Sequence, residues 1–211
     1  MEPLLNFIDG AFVPAQSGAT LDTVNPATGG VITTLPRSAP SDVEAATTAA
    51  LRAAQGWAAT SMEDRIVWLH RLADELEEDS ETVARLESMD TGKPIALARR
   101  VDAARSVANF RFFAKFGTQH HDPTFTDHGA VNHLHRSPIG CVGLITPWNL
   151  PLYLLTWKVA PALLMGNTIV AKPSELTPLT AHHLAVVMQR IDFPAGVFNL
   201  SLIHISEPTR R

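Results

Sequence analysis

From Ile139 onward, short apolar runs alternate with helix-length segments, and this alternation restricts the possible fold more than any other feature of the chain. Residues 141–145, 168–171 and 197–199 read as strands, and residues 151–165 and 177–190 read as the helices between them. Strands and helices in alternation, joined by right-handed crossovers, imply an α/β fold with a parallel sheet. The unbroken apolar run from Cys141 to Ile145 predicts a strand covered on both faces. An open sheet of this kind places its ligand chemistry at the carboxyl ends of its strands. Two turns stand at those ends: Ile145-Thr146-Pro147-Trp148-Asn149-Leu150-Pro151 and Lys172-Pro173-Ser174-Glu175.

The preceding part has a different character. Asn6-Phe7-Ile8 and Ala11-Phe12-Val13 flank Asp9-Gly10, the composition of a two-residue hairpin turn. Asn25-Pro26-Ala27-Thr28-Gly29-Gly30 is a turn before a strand over 31–35. Ser41 and Glu44 have capping-box spacing and predict a helix running to about Gly56. Ser61 opens a second helix, with Ile66, Leu69, Leu72, Ala73 and Leu76 at helical spacing. A third helix covers 80–90 and stops at Thr91-Gly92-Lys93-Pro94. A fourth covers 95–117, with Val101, Ala104, Val107, Ala108 and Phe112 on one face. Residues 118–138 are polar and histidine-rich, and Asp127 to Arg136 can form an extended arm. Three parallel strands alone would leave an open edge and an apolar face, which predicts an aggregation-prone chain.

Net charge of −4 over 211 residues gives no electrostatic footprint for nucleic acid or an acidic membrane. Asn149, Lys158 and Gly166 break the longest apolar stretches, so no segment reads as a membrane span, and the first residues lack a signal-peptide pattern. A single cysteine, Cys141, excludes an internal disulfide and fits a reducing compartment. The expectation is a soluble, cytoplasmic protein.

At the first turn, the amide of Asn149 can donate to an oxygen that becomes negative during a reaction. Asn is equally a favoured helix cap, so Asn149 can instead cap the helix that begins near Pro151. At the second turn, the Glu175 carboxylate can accept from ribose hydroxyls and the Lys172 ammonium can donate to the same sugar. A carboxylate there repels a 2′-phosphate and favours NAD over NADP. The alternative is a helix start, with Ser174 or Thr177 as cap and Glu175 near the positive helix end. Residues 146–151 contain no glycine, which excludes a Gly-x-Gly-x-x-Gly pyrophosphate cradle at that turn. His120, His121, His128, His133 and His135 lack acidic or cysteine partners at metal-ligand spacing and read as surface groups of the polar arm, so no metal is expected. Cys141, inside a strand, reads as a small core residue.

Taken together, Thr146-Pro147-Trp148-Asn149-Leu150-Pro151, Ala160-Pro161-Ala162, Gly166-Asn167-Thr168 and Lys172-Pro173-Ser174-Glu175 resemble the NAD(P)-dependent aldehyde dehydrogenase superfamily. Asn25-Pro26-Ala27-Thr28-Gly29 and Asp90-Thr91-Gly92-Lys93-Pro94 support the resemblance, which runs from about Asn6 to Asn199. Asn109-Phe110-Arg111-Phe112-Phe113 and the segment from Trp148 to Trp157 look most like the muconic-semialdehyde branch. The resemblance implies a Rossmann-like domain over 1–199 and oxidation of an aldehyde to a carboxylic acid with NAD. It implies that Asn149 is the oxyanion donor. Lys172 and Glu175 match adenosine-ribose contacts, and Ser174 is grouped with them. Ile145, Thr146, Pro147 and Trp148 match the wall of the cofactor cleft. The arm over 122–138 matches an oligomerisation segment, which implies a homodimer or homotetramer.

The family's cysteine nucleophile and glutamate base lie downstream of Asn149, and no residue here maps onto them; Cys141 precedes Asn149. The expectation is an amino-terminal fragment, inactive alone. Residues 200–211 resemble the translation of a sequencing adapter and are expected to be a non-native tail, the alternative being a genuine short variant. Two other functions stay open: a truncated homologue that acts as a binding or oligomerisation module, and an unrelated nucleotide binder in which Asn149 only caps a helix.

Overall fold

The structure is a computed structural model and describes residues 1–203. Nine strands and seven α-helices are found among these residues. The hairpin β1 (Asn6–Ile8) and β2 (Ala11–Val13) turns at Asp9 and Gly10, both at positive φ (55° and 80°). That is the conformation a two-residue turn of matching twist requires. A second antiparallel pair, β3 (Thr20–Val24) with β4 (Val31–Pro36), comes next. β3 is not predicted by the sequence; its alternation of polar and apolar residues is too short to stand out.

Helix α1 (Pro40–Ala59) begins earlier and ends later than expected. Ser41 and Glu44 do not form the capping box. Instead the Asp42 carboxylate accepts the Ala39 backbone N–H at 2.8 Å, and Pro40 occupies the first turn, where its missing donor costs nothing. Helix α2 (Met62–Glu78) is capped by Ser61 as expected, its hydroxyl accepting the Asp64 N–H at 3.0 Å. Helix α3 (Ser80–Thr91) ends on Gly92 in the left-handed conformation, φ 73°, where a side chain would also meet the Pro26 ring at 3.0 Å.

The predicted fourth helix has the right extent and the wrong face. It consists of α4 (Ile95–Leu97), a π-helical turn (Ala98–Ala103) and α5 (Ala104–Gly117). The wider turn inserts a residue and rotates the remainder of the helix. Phe110, Ala114 and Gly117 are therefore buried with Val107, whereas Ala104, Ala108 and Phe112 are exposed. The same rotation buries Asp102 completely. α5 packs against α2 and against α6 (Pro151–Leu164), around Leu69, Leu72, Leu76, Phe110, Leu155 and Leu163.

The arm is an exposed antiparallel hairpin, β5 (Thr124–Asp127) and β6 (Ala130–His133). The main sheet is five-stranded, in the order β2-β1-β9-β8-β7. β7 (Cys141–Ile145), β8 (Thr168–Lys172) and β9 (Phe198–Leu200) are parallel, and β1 joins β9 antiparallel. The amino-terminal hairpin thus closes one side of the expected three-stranded sheet. Successive residues of a strand face opposite ways. Val170 meets Ala46 and Ala50 of α1, whereas Ile169 and Ala171 join the core with α6 and α7 (Leu179–Arg190). The sheet is covered on both faces at β8 and is open at β7. Ile145 is 62% exposed and Gly143 is exposed, which corrects the expectation that β7 is buried on both faces. The apolar run marks a strand; its place at the edge depends on which strands pair.

Leu200 ends β9, the Leu202 N–H donates to Asn6 Oδ1 at 2.9 Å, and Ile203 bridges to Ser38. The first four residues of the expected foreign tail thus lie in the fold, and 204–211 lie outside the described residues. No helix among the described residues is long and apolar enough to cross a membrane.

Candidate functional site

Register decides where the two turns sit. Cys141 pairs with Thr168 and Ile145 with Lys172, so β7 and β8 end flush. The Thr146 N–H continues the ladder by donating to the Lys172 carbonyl at 3.1 Å. Both chains then splay apart, β7 toward α6 and β8 toward α7. The crevice between them has a volume of about 560 Å³ and is lined by Ile145, Thr146, Pro147, Trp148, Lys172, Ser174, Glu175 and Leu176. All seven residues expected to hold a cofactor line this one cavity. Leu176, 62% exposed, completes the apolar wall with Ile145 and Trp148 and was not anticipated, since an exposed leucine in a loop carries no sequence signal.

The crevice combines that wall with a small set of polar groups. Lys172 Nζ and Glu175 Oε2 lie 3.2 Å apart and both side chains are largely buried, so the pair is held at the strand end and not on a free surface. Ser174 Oγ accepts the Leu176 N–H at 3.2 Å and so shapes the turn. It does not cap α7, whose first residues come after Pro178 with no side-chain cap there. The Asp90 carboxylate, from α3, accepts the Leu179 N–H at 2.8 Å and takes that role across the fold. Burial pushes the Asp90 carboxyl up to about 8. Thr146 is buried, and its hydroxyl has no partner among the described residues.

Asn149 stands just beyond this lining. It is exposed, and its amide makes no hydrogen bond among the described residues. The residue preceding α6 is Leu150, and no side chain caps that helix. The cap reading of Asn149 therefore fails on geometry, and a neutral donor is left presented beside the crevice. Three side chains from other elements reach this region: Lys158 Nζ donates to the Ile145 carbonyl at 2.7 Å, Thr177 Oγ1 to the Trp148 carbonyl at 3.5 Å and Lys93 Nζ to the Asn149 carbonyl at 3.4 Å. None of these three contacts is legible in the sequence, because a bond to a main-chain carbonyl leaves no pattern in the residues it joins.

Cys141 does not approach the turn. It lies at the far end of β7, half-buried, and burial pushes its thiol pKa up. A protonated thiol is a poor nucleophile. Among the described residues no group of three or more His, Cys, Asp or Glu side chains is placed to hold a metal ion.

These features are shared with known proteins. The profile of the aldehyde dehydrogenase family matches residues 12–206. The chain is 47% identical over 199 residues to human 2-aminomuconic semialdehyde dehydrogenase, covering 93% of this chain and 40% of that protein. It is 45% identical over 206 residues to the 2-hydroxymuconic semialdehyde dehydrogenase of Pseudomonas sp. (strain CF600), covering 95% of this chain and 42% of the relative. The NAD+ complex of an aldehyde dehydrogenase from Bacillus cereus superposes with a TM-score of 0.89 at 37% identity, covering 94% of this chain and 41% of that one. The chain thus spans about 40% of the length of these relatives. A family match over nearly the whole chain, on a fold that superposes throughout, means that this chain belongs to the aldehyde dehydrogenase family.

Proposed function

We propose that this chain is the amino-terminal, cofactor-binding part of an NAD-dependent dehydrogenase that oxidises an aldehyde of the muconic-semialdehyde class to a carboxylic acid. The observation that carries the reading is the unpaired, uncapping Asn149 amide at the rim of a crevice that holds the Lys172–Glu175 pair. The residues present fit an adenosine half. Ile145, Trp148 and Leu176 offer an apolar wall for a base, and Lys172 and Glu175 offer a donor and an acceptor for ribose hydroxyls. The orphaned Thr146 hydroxyl, buried in the same lining, is a further polar group for the ligand to satisfy. The negative charge of Glu175 disfavours a 2′-phosphate, so NAD is the form expected.

When bound, NAD supplies the hydride acceptor. The chain's own part is to orient and to stabilise. Asn149 donates from its amide to the aldehyde oxygen as that oxygen gains negative charge, an interaction stronger in the transition state than in the ground state. Pro147 and the anchored carbonyls of Ile145, Trp148 and Asn149 hold the donor in place without reorganisation. Cys141 is unsuited to attack, so the nucleophile and the base are assigned to other parts of the dehydrogenase, and the 211-residue chain alone is expected to bind without turnover. The relatives named for muconic semialdehydes support the substrate class. The exposed β5–β6 hairpin supports an assembly through the arm, a homodimer or homotetramer.

The test is Asn149→Ala in the full-length dehydrogenase. It is expected to lower kcat by about 10²–10³-fold with KM little changed. The melting temperature should not move, because no cap is lost. Unchanged turnover with lowered stability would restore the cap reading and reject this one.

A further inference from the structure

Lys93 lies in the segment that the sequence marks as the stop after α3 and as a supporting motif of the family resemblance, with no role assigned to the lysine. Gly92, in the left-handed conformation, reverses the chain there, and the Ser88 hydroxyl donates to the Lys93 carbonyl at 2.7 Å. The side chain is thereby turned inward. It is 13% exposed, and its ammonium lies 2.9 Å from Asp102 Oδ1 and 3.5 Å from Glu87 Oε1. Both carboxyl side chains are essentially fully buried, Glu87 on α3 and Asp102 on the π-helical turn. A buried ion cluster is weak evidence for stability, since apolar residues of the same volume often serve as well; its best-attested use is to fix one arrangement among several. The third contact of the ammonium is the Asn149 carbonyl at 3.4 Å.

That contact matters because the turn has little else. Residues 148–150 are neither helix nor strand, and Trp148 and Asn149 are exposed. Among the described residues the N–H groups of Trp148 and Asn149 make no backbone hydrogen bond, and the Trp148 carbonyl has one contact, at 3.5 Å to the neutral Thr177 hydroxyl, against 3.4 Å from the Lys93 ammonium to the Asn149 carbonyl. We propose that Lys93 is a positioning residue: clamped between Glu87 and Asp102, its ammonium seats the main chain of Asn149 and so sets the direction of the Asn149 amide. The inference rests on the reading of Asn149 as the oxyanion donor and extends it to a residue that touches neither substrate nor cofactor. The π-helical turn gains a role as well, because its extra residue brings Asp102 under the ammonium. Burial and the neighbouring Asp102 charge push the Glu87 carboxyl above its ordinary value, and the Lys93 ammonium opposes that rise.

The experiment is a double-mutant cycle of Lys93→Met and Asn149→Ala in the full-length dehydrogenase. Lys93→Met is expected to lower kcat by about 10–100-fold, as a misplaced group does, with KM within about threefold of the parent. Lys93→Arg should restore most of the loss. The double variant should be no slower than Asn149→Ala alone, because a residue that acts through another has nothing left to position. Removing the ammonium strands two buried carboxyls, so the cycle is repeated with Lys93→Met/Asp102→Asn, which removes one charge of each sign and should give the same non-additivity. In the 211-residue chain labelled with 15N-tryptophan, the Trp148 indole resonance should shift in Lys93→Met and return in Lys93→Arg. Fully additive losses, or an unmoved Trp148 resonance, overturn the positioning role and leave the site reading intact. An Asn149→Ala enzyme with unchanged kcat overturns both.

Discussion

β7 and β8 are adjacent, parallel and of equal length, yet they have opposite roles. β8 is paired on both sides, four of its five residues are buried, and helices cover both its faces. Among the described residues β7 is paired on one side only, and none of its residues is fully buried. Beside β7, α1 leaves an apolar groove of about 450 Å³ lined by Val43, Leu144, Ile145 and Val170 among others. The proposed function would use both kinds of strand. β8 is the buried strand that ends at Lys172, and β7 is the partly open strand whose end leads into the exposed Pro147-Trp148-Asn149 turn.

The contrast is open to four tests, from the largest expected effect to the smallest. Ile169→Ala, in the centre of β8, should cost about 2–5 kcal/mol in denaturant unfolding, the range for a fully buried aliphatic side chain. Val142→Ala, its register partner on β7, should cost markedly less, because it is only half-buried. Equal losses would remove the distinction between the strands.

The next test is pH. Asp90 tethers the start of α7, after β8, and Glu87 faces the lysine that reaches the turn after β7. Burial raises Asp90 from 3.8 to about 8, and Glu87 from 4.5 to about 7. The folded state then holds these protons more tightly than the unfolded chain. Stability is greatest below the unfolded values and falls as pH rises toward the folded ones, by at most about 1.4 kcal/mol per pH unit for each group. Glu81, whose two arginine partners pull it down to about 2, acts with the opposite sign and below this window. His182 and His183, which burial pushes down (His182 to about 4), also act with the opposite sign, below about pH 6.5, so urea melts between pH 6.5 and 9 should show the decline, and Asp90→Asn should flatten its upper part.

A smaller effect is expected at the end of β8. Lys172→Met should weaken NAD binding by about tenfold through loss of a single charged donor, as read by calorimetric titration, and should lower the melting temperature, because a largely buried ion pair is broken. Glu175→Gln should narrow the preference for NAD over NADP. Ile145→Lys, on the open strand, should change stability by less than about 0.5 kcal/mol yet reduce self-association in sedimentation, since a charge on an exposed edge opposes strand addition. A large loss of stability there would mean that the end of β7 is as buried as β8.

Much of this is legible in the residues. The hairpin at Asp9-Gly10, the Ser61 cap, and the order of strands and helices after Ile139 depend on turn chemistry and periodicity, which are local. The lining of the crevice is legible for a related reason. In an alternating α/β chain the residues just past two parallel strands meet at one end, whatever the rest of the chain does. The face of α5 is not legible, because the π-helical turn before it shifts the helical register, and residues 95–117 carry no local signal for that turn. The start of α1 lies earlier than its capping pattern suggests, because Asp42 offers as good an acceptor as Ser41.

Neighbours in the chain are enough, then, to read most of the elements, their order after Ile139 and the kinds of group at the strand ends; β3 and the π-helical turn are the exceptions. The tertiary structure alone decided which strand is an edge, which face of α5 is buried, that Asp90 and Leu150 rather than Ser174 and Asn149 stand at the helix starts, and that Lys93 reaches the Asn149 carbonyl. Each of those depends on partners dozens of residues away, and competition among such partners for the same buried space is settled only when the whole chain is packed.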